Sequence, residues 1–146
     1  MSSVRKLLGI AGTIVALGAV IPSASAGTAL QPLHITKDCS GFTGGPGSFC
    51  TVTGSDLAAI PVGSKLVYKG PVISDPNFLS SRVVLRAGAG DRAFGYCSVI
   101  YSPYHGVCAF WRGTGSLAGF HASMDSTIDS NSVFHLDGTY LFDATV

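Results

Sequence analysis

The sequence predicts an all-β fold, specifically an eight-stranded antiparallel β-barrel. The first observation is composition: 12% of the 146 residues are charged, no Glu occurs, and 19 residues are Gly. Helical bundles and coiled coils need Glu, Lys and Arg on their solvent-facing sides, so this composition excludes them. The second observation is that short alternating segments recur about every 10–15 residues without helical blocks between them. A sandwich is the alternative, but a barrel leaves no sheet edges to protect.

The first element, residues 1–26, is predicted to be a secretory signal peptide. Arg5 and Lys6 precede an uncharged, mostly apolar run over 7–21, and an Ala-x-Ala cleavage site ends at Ala26. A retained membrane anchor is the alternative, but a membrane span needs about 20 apolar residues and this run has 15. The protein is therefore expected to be secreted, with no membrane span after cleavage.

The remainder, residues 27–146, is predicted to be a single barrel domain. The whole chain has a formal net charge of +1. Without Arg5 and Lys6, seven basic residues face eight Asp, and the net charge becomes −1. Nucleic-acid-binding domains usually carry a strong basic excess, so nucleic acid is not predicted as a partner.

Eight segments are predicted as strands from their alternation and their β-branched and aromatic residues. In chain order they are 31–37, 49–53, 64–73, 82–85, 93–101, 107–111, 117–124 and 133–142. Gly70-Pro71 is expected to form a bulge or bend in the third strand. A helical turn is expected only at 55–59.

Four cysteines allow three disulfide connectivities. Cys97 and Cys108 flank a strand–turn–strand pattern with its turn at Ser102, and Cys39 and Cys50 flank a Gly-rich loop. Each pair is eleven positions apart, which favours two hairpin disulfides, Cys39–Cys50 and Cys97–Cys108. Each would stabilise the fold by about 3 kcal/mol in the loop-entropy model. A redox or zinc site is less favoured, because no Cys-x-x-Cys motif is present.

Three stretches of the sequence carry motifs of a known kind of β-barrel. Ser55-Asp56-Leu57, followed by Lys65-Leu66, is similar to the opening motif of the barrels of the allene oxide cyclase and dirigent superfamily. The run GTGSLAGFHA over 113–122 resembles their glycine-rich turn and strand, and DGTYLF over 137–142 resembles their aromatic last strand. The likeness extends over about residues 50 to 142. In this run Gly113 and Gly115 would supply positive φ, and Gly119 a close backbone approach.

The resemblance implies an eight-stranded barrel with an apolar pocket. Allene oxide cyclases close a ring on a fatty-acid epoxide, and dirigent proteins steer the coupling or cyclisation of phenolic intermediates. Relatives form dimers or trimers, so a homo-oligomer is left open. Allene oxide cyclases carry a catalytic Glu, which this chain lacks. Dirigent pockets use Asp, Arg and Tyr, and the weak catalytic candidates of these types are Asp137, Tyr140, Arg86 and Tyr96.

Several polar residues have alternative interpretations. Asp137 faces solvent or, if it faces inward, orients or protonates a ligand. His121, Ser123 and Asp125 have the residue types of a catalytic triad, but neighbours on one strand face stand about 6.5 Å apart, so they are predicted to form an outer polar face. His121 and His135 are predicted to be two solvated histidines, and the alternative is that they approach as zinc ligands or a proton relay if their strands pair. No metal or cofactor is predicted.

Two functions follow from these observations. In the first, the barrel binds a small apolar or phenolic molecule in its interior and guides a cyclisation or isomerisation. This function requires a ligand-sized cavity. In the second, the protein is a non-catalytic secreted envelope or surface interaction module that uses the barrel as a scaffold. This function predicts a filled barrel and an exposed apolar patch of several hundred Å².

Overall fold

Eight antiparallel strands close into one barrel, in which each strand pairs with its neighbours in sequence and β1 pairs with β8. The structure, a computed structural model, describes residues 29–144, so the predicted signal peptide lies outside the described residues. Among them, no helix is long and apolar enough to cross a membrane. The strands are β1 Gln31–Asp38, β2 Phe49–Ser55, β3 Lys65–Asp75, β4 Phe78–Arg86, β5 Arg92–Tyr101, β6 Tyr104–Thr114, β7 Phe120–Ile128 and β8 Phe134–Phe142.

All eight predicted strands are confirmed, and β4 shows why some boundaries were wrong. The prediction began this strand at Arg82, whereas it begins at Phe78. Two serines interrupt its apolar pattern, yet Ser81 is fully buried. The Ser81 hydroxyl donates to the carbonyl oxygen of Lys69 at 2.6 Å, so a polar residue occupies an inward position without an unpaired hydroxyl.

The predicted helical turn at 55–59 is wrong. Ser55 ends β2, and the chain then makes a turn in which the Ile60 N–H donates to the Leu57 carbonyl oxygen. Within the described residues the helical element is instead a single 3₁₀ turn, Gly115–Leu117, placed where the seventh strand was expected to begin. Its buried Leu117 explains the apolar residue that suggested a strand.

The glycines of the 113–122 run are required by the backbone. Gly115 and Gly119 have φ values of 62° and 72°, which other residues rarely adopt. A Cβ on Gly119 would also overlap the backbone of Asp143. Gly113 has no positive φ, but a Cβ there would overlap the Leu117 carbonyl group. Close backbone contact, rather than positive φ, is therefore the reason for glycine at this position.

Both predicted disulfides are confirmed. Their Cα–Cα distances are 4.1 Å for Cys39–Cys50 and 4.2 Å for Cys97–Cys108. Cys97 lies directly opposite Cys108 in the ladder between β5 and β6. For Cys97 and Cys108, a distance this short is typical of opposed strand positions that do not exchange hydrogen bonds, where side chains lie closest.

The middle of the barrel is filled by side chains. The strands alternate, so every second residue points inward, and these inward side chains form one apolar core. The void left among them is about 10 Å³, at most the space of a single water molecule. The residues around it are Ile35, Lys37, Val52, Leu66, Leu85, Phe110, Met124 and Leu136. The interior therefore has no room for a ligand at mid-height.

Candidate functional site

A cavity of about 70 Å³ lies at the end of the barrel where β1 ends and β8 begins. The loop between β1 and β2 and the hairpin between β5 and β6 form its rim. Its walls are a disulfide, aromatic rings and aliphatic side chains, with one charged residue. The lining residues are Lys37, Cys39, Phe42, Cys50, Tyr68, Leu79, Val99, Tyr101, Tyr104 and Phe134. This is a small apolar pocket into which a single cation is placed.

Lys37 is the unusual residue of this pocket. It follows Leu33 and Ile35 on the inward face of β1, and only 3% of its surface is exposed. Burial lowers the pKa of Lys37 to about 8. Among the described residues it forms no ion pair, and its Nζ lies 5.7 Å from the centre of the Phe134 ring. A buried cation without a counter-ion is costly, and such sites are candidates for anion binding.

Two tyrosines bring neutral hydroxyl groups to the pocket. Burial is the main cause that raises the pKa of both Tyr68 and Tyr104, so both stay protonated at neutral pH. The Tyr104 hydroxyl lies 3.0 Å from the Ser126 hydroxyl oxygen. Edge-to-face contacts hold the rings, Tyr68 against Phe42 at 4.8 Å and Tyr104 against Phe134 at 5.3 Å. The rim is thus aromatic and weakly polar.

The four catalytic candidates from the sequence do not come together in the structure. Asp137 points outward, where its carboxylate contacts Nδ1 of His34, so the inward alternative is wrong. Tyr140 is half-buried and packs against the core at the end opposite the pocket. Arg86 and Tyr96 lie on the outer face of the barrel, and both are exposed. None of the four lines the cavity beside Lys37.

The alternative in which His121 approaches His135 is also wrong. Their strands do pair, but His121 lies opposite Leu141 and His135 opposite Thr127, which is six positions away along β7. The neighbour of His135 is His34 on β1, with ring centres 5.5 Å apart. Sequence reasoning missed this pair, because it depends on the register between the first and last strands.

Lys37 was missed for a different reason. The signal was present, since Leu33, Ile35 and Lys37 occupy alternate positions of one strand and share its inward face. Lysine is almost never fully buried without a partner, so composition alone places it in solvent. The alternation of the strand, rather than the residue type, predicts that Lys37 points inward.

The other six basic residues of the described chain lie on one wall of the barrel, the outer face of β3 to β6. They are Lys65, Lys69, Arg82, Arg86, Arg92 and Arg112, and all are exposed. The register sets Lys65 opposite Arg86, which in turn lies opposite Arg92. Like charges directly opposite one another destabilise a sheet. We call this surface the basic wall.

Within the described part of the chain, the basic wall has no acidic partners. Both ion pairs within residues 29–144 join a histidine to an aspartate, so none of the six cations is paired. A groove of about 300 Å³ crosses the wall beside Arg82, Phe94, Trp111 and Arg112. Trp111 is 52% exposed, because a bulge in β6 leaves it outside the ladder.

Comparisons of the chain with protein-family models, with curated proteins and with solved structures found no match. The similarity to allene oxide cyclase and dirigent barrels therefore stays a prediction from sequence motifs. The function has to be inferred from the geometry of the barrel end and of its outer surface.

Proposed function

We propose that the cavity beside Lys37 binds a small apolar molecule carrying a carboxylate or phenolate oxygen. The observation that carries this proposal is the burial of Lys37 in an apolar pocket, with no counter-ion among the residues that the structure describes. With a pKa of about 8, Lys37 is mostly protonated at pH 7. An anionic oxygen from a ligand would supply the missing negative charge and a charge-assisted hydrogen bond.

The size of the cavity limits what enters it. An engineered cavity of about 150 Å³ holds benzene, and this one is about half that volume. It would therefore admit an acidic or phenolic head, while the apolar body rests on the aromatic rim formed by Phe42 and Tyr104. The proposal thus moves ligand binding from the whole barrel interior to one end of it.

The proposed setting is outside the cell. Two disulfides fit an oxidising compartment and agree with the signal peptide predicted from the sequence. A rigid rim would restrict the conformations of a bound ligand, and restriction of this kind lowers the entropic barrier to ring closure. This is how the pocket would guide a cyclisation or isomerisation.

Benzoate and its neutral relative benzyl alcohol test the proposal. We expect benzoate to bind about tenfold more tightly at pH 7, because a hydrogen bond to a charged group contributes about 1.5–3 kcal/mol. Titration followed by ¹H–¹⁵N NMR should shift the amides of Lys37, Leu79 and Val99. The preference should weaken above pH 8, where Lys37 loses its charge.

Two variants distinguish benzoate binding in the pocket from benzoate binding elsewhere on the surface. Lys37→Met should abolish the preference for benzoate, whereas Lys69→Met, on the basic wall, should leave it unchanged. Equal binding of the two probes, or benzoate shifts confined to the basic wall, would reject the pocket.

A second function is favoured by the basic wall. We infer that this wall binds an anionic polysaccharide, as a secreted surface interaction module would. Six unpaired cations provide the charge complementarity. Four exposed apolar side chains adjoin the wall on β5 and β6: Tyr96, Ile100, Val107 and Trp111. The filled middle of the barrel also agrees with a scaffold role.

Heparin affinity chromatography tests the wall. We expect Arg82→Ser with Arg112→Ser to lower the salt concentration at elution and to weaken heparin binding about tenfold, since each lost contact removes released counterions. The matched control is Ser123→Asp with Thr127→Asp on exposed positions of β7, which changes the net charge by the same amount. If the control weakens binding equally, or if single-stranded DNA competes more strongly than heparin, the inference is wrong.

A further inference from the structure

The seam of the barrel, where β1 pairs with β8, carries a cluster of metal-ligating residues on its outer face. His34 lies directly opposite Asp137, and His135 lies diagonally across, opposite Thr36. One nitrogen from each imidazole and one Asp137 oxygen all lie within 4.8 Å of one another. His135 and Asp137 follow His34 by 101 and 103 positions in the sequence. They meet it because the barrel closes here.

Asp129 fixes the orientation of the His135 ring by a hydrogen bond. The Nε2 atom of His135 donates to the Asp129 carboxylate at 3.1 Å. The same carboxylate accepts the backbone N–H groups of Asn131 and Val133 at 2.8 and 2.9 Å. Hydrogen bonds from Val133 and then from His135 keep the pKa of Asp129 below its usual value. With Nε2 protonated in this way, Nδ1 of His135 is the nitrogen left to bind a cation.

A carboxylate hydrogen-bonded to the second nitrogen of a histidine is the usual arrangement around metal-binding histidines, since it sets the tautomer and the orientation of the ring. The backbone of His34 is held as well. Its N–H donates to the Asp56 carboxylate at 3.1 Å, and its carbonyl oxygen accepts the Asp56 N–H at 3.2 Å. The backbone of His34 and the ring of His135 are therefore held in place before any cation binds.

We propose that His34, His135 and Asp137 bind Zn²⁺ across the seam of the barrel. Two imidazoles and one carboxylate favour zinc over Mg²⁺ or Ca²⁺, which prefer oxygen ligands. Zinc bonds of about 2.0–2.1 Å in tetrahedral geometry place ligand atoms roughly 3.4 Å apart. Small side-chain rotations close the remaining gap, because His34 and Asp137 are half-exposed. A water molecule completes the fourth position.

The bound ion would join the first strand to the last. The ladder between β1 and β8 closes the barrel, so a cation held by both strands acts against opening of the seam. Zinc would take the place of the hydrogen between His34 and Asp137, and on the neutral imidazole that hydrogen moves to the other ring nitrogen of His34. The proposal is independent of the Lys37 pocket, which opens at the barrel end rather than on the outer face.

Calorimetric titration of the untagged protein with ZnCl₂ tests the site. We expect one ion per chain, and tetrahedral absorption when Co²⁺ replaces Zn²⁺. His34→Ala and His135→Ala should each weaken zinc binding at least tenfold. Asp129→Asn should weaken it about 10–100-fold without changing the stoichiometry. Asp137→His, which supplies another zinc ligand, should retain binding.

His121→Ala is the matched control, because His121 lies on the outer face of β7 away from the cluster. It should bind zinc with unchanged affinity. Absence of binding at millimolar Zn²⁺ would overturn the proposal. Retention of binding by the His34→Ala/His135→Ala double variant, or an equal loss in His121→Ala, would do so as well. Circular dichroism of each variant distinguishes loss of the site from loss of the fold.

Discussion

Replacing Lys37 by Met is expected to raise the free energy of unfolding by about 3 kcal/mol at pH 7. Burial lowers the pKa of Lys37 from 10.5 to about 8, and this shift measures how strongly the folded protein disfavours the charge. Each pKa unit corresponds to about 1.4 kcal/mol. Methionine fills a similar volume without a charge, so the penalty disappears. Urea denaturation of both proteins measures the difference.

The pH dependence of stability gives an independent test of the same residue. Below pH 8 Lys37 is protonated in both states, and the full penalty is present. Between pH 8 and about 10.5 the unfolded chain keeps this proton while the folded protein releases it, so stability rises with pH. Lys37→Met should lack this rise, and Lys69→Met should keep it. A flat wild-type profile from pH 8 to 10 would contradict the buried charge.

The comparison should stop near pH 10. Burial raises the pKa of Tyr68 and Tyr104 in the folded protein. In the unfolded chain tyrosine ionises at about pH 10, so these two residues make stability fall at higher pH. Between pH 8 and 10 the increase in the free energy of unfolding due to Lys37 is therefore expected to exceed the decrease due to the two tyrosines.

Phe120→Ala is expected to lower the free energy of unfolding by about 3–5 kcal/mol, as truncation of buried Phe usually does. Phe120 is completely buried. Its ring centre lies 5.5 Å from that of Phe142 and 6.2 Å from that of Phe110, so its removal leaves a cavity between aromatic neighbours. The midpoint of urea denaturation measures the loss.

Phe94→Ala is the matched control, because Phe94 lies on the outer face against Arg112. This substitution should lower the free energy of unfolding by less than about 1 kcal/mol. Benzoate binding should survive in Phe120→Ala, since Phe120 lies at the end of the barrel opposite Lys37. A cost for Phe120→Ala no larger than that for Phe94→Ala would show that this end of the barrel is loosely packed.

Local patterns in the sequence were sufficient to predict the strands, their inward faces and the disulfides of the barrel. Alternation has a period of two residues, so each strand and its inward face can be predicted from a few neighbouring residues. On β7 the inward positions of Phe120, Ala122 and Met124 are confirmed. The disulfides were predictable for the same reason, because each joins the two arms of a single hairpin and requires no knowledge of distant strands.

The surfaces and sites depended on relations between distant residues. A net charge of −1 contains no information about the basic wall, which exists because the register sets Lys65, Arg86 and Arg92 in one row. The distance between His34 and Asp137 depends on how the last strand closes onto the first. Whether Lys37 meets a counter-ion depends on which side chains fill the barrel around it, and none of the described ones is acidic. Alternation determines the side of a strand on which a residue lies, whereas closure of the barrel determines what the residue meets there.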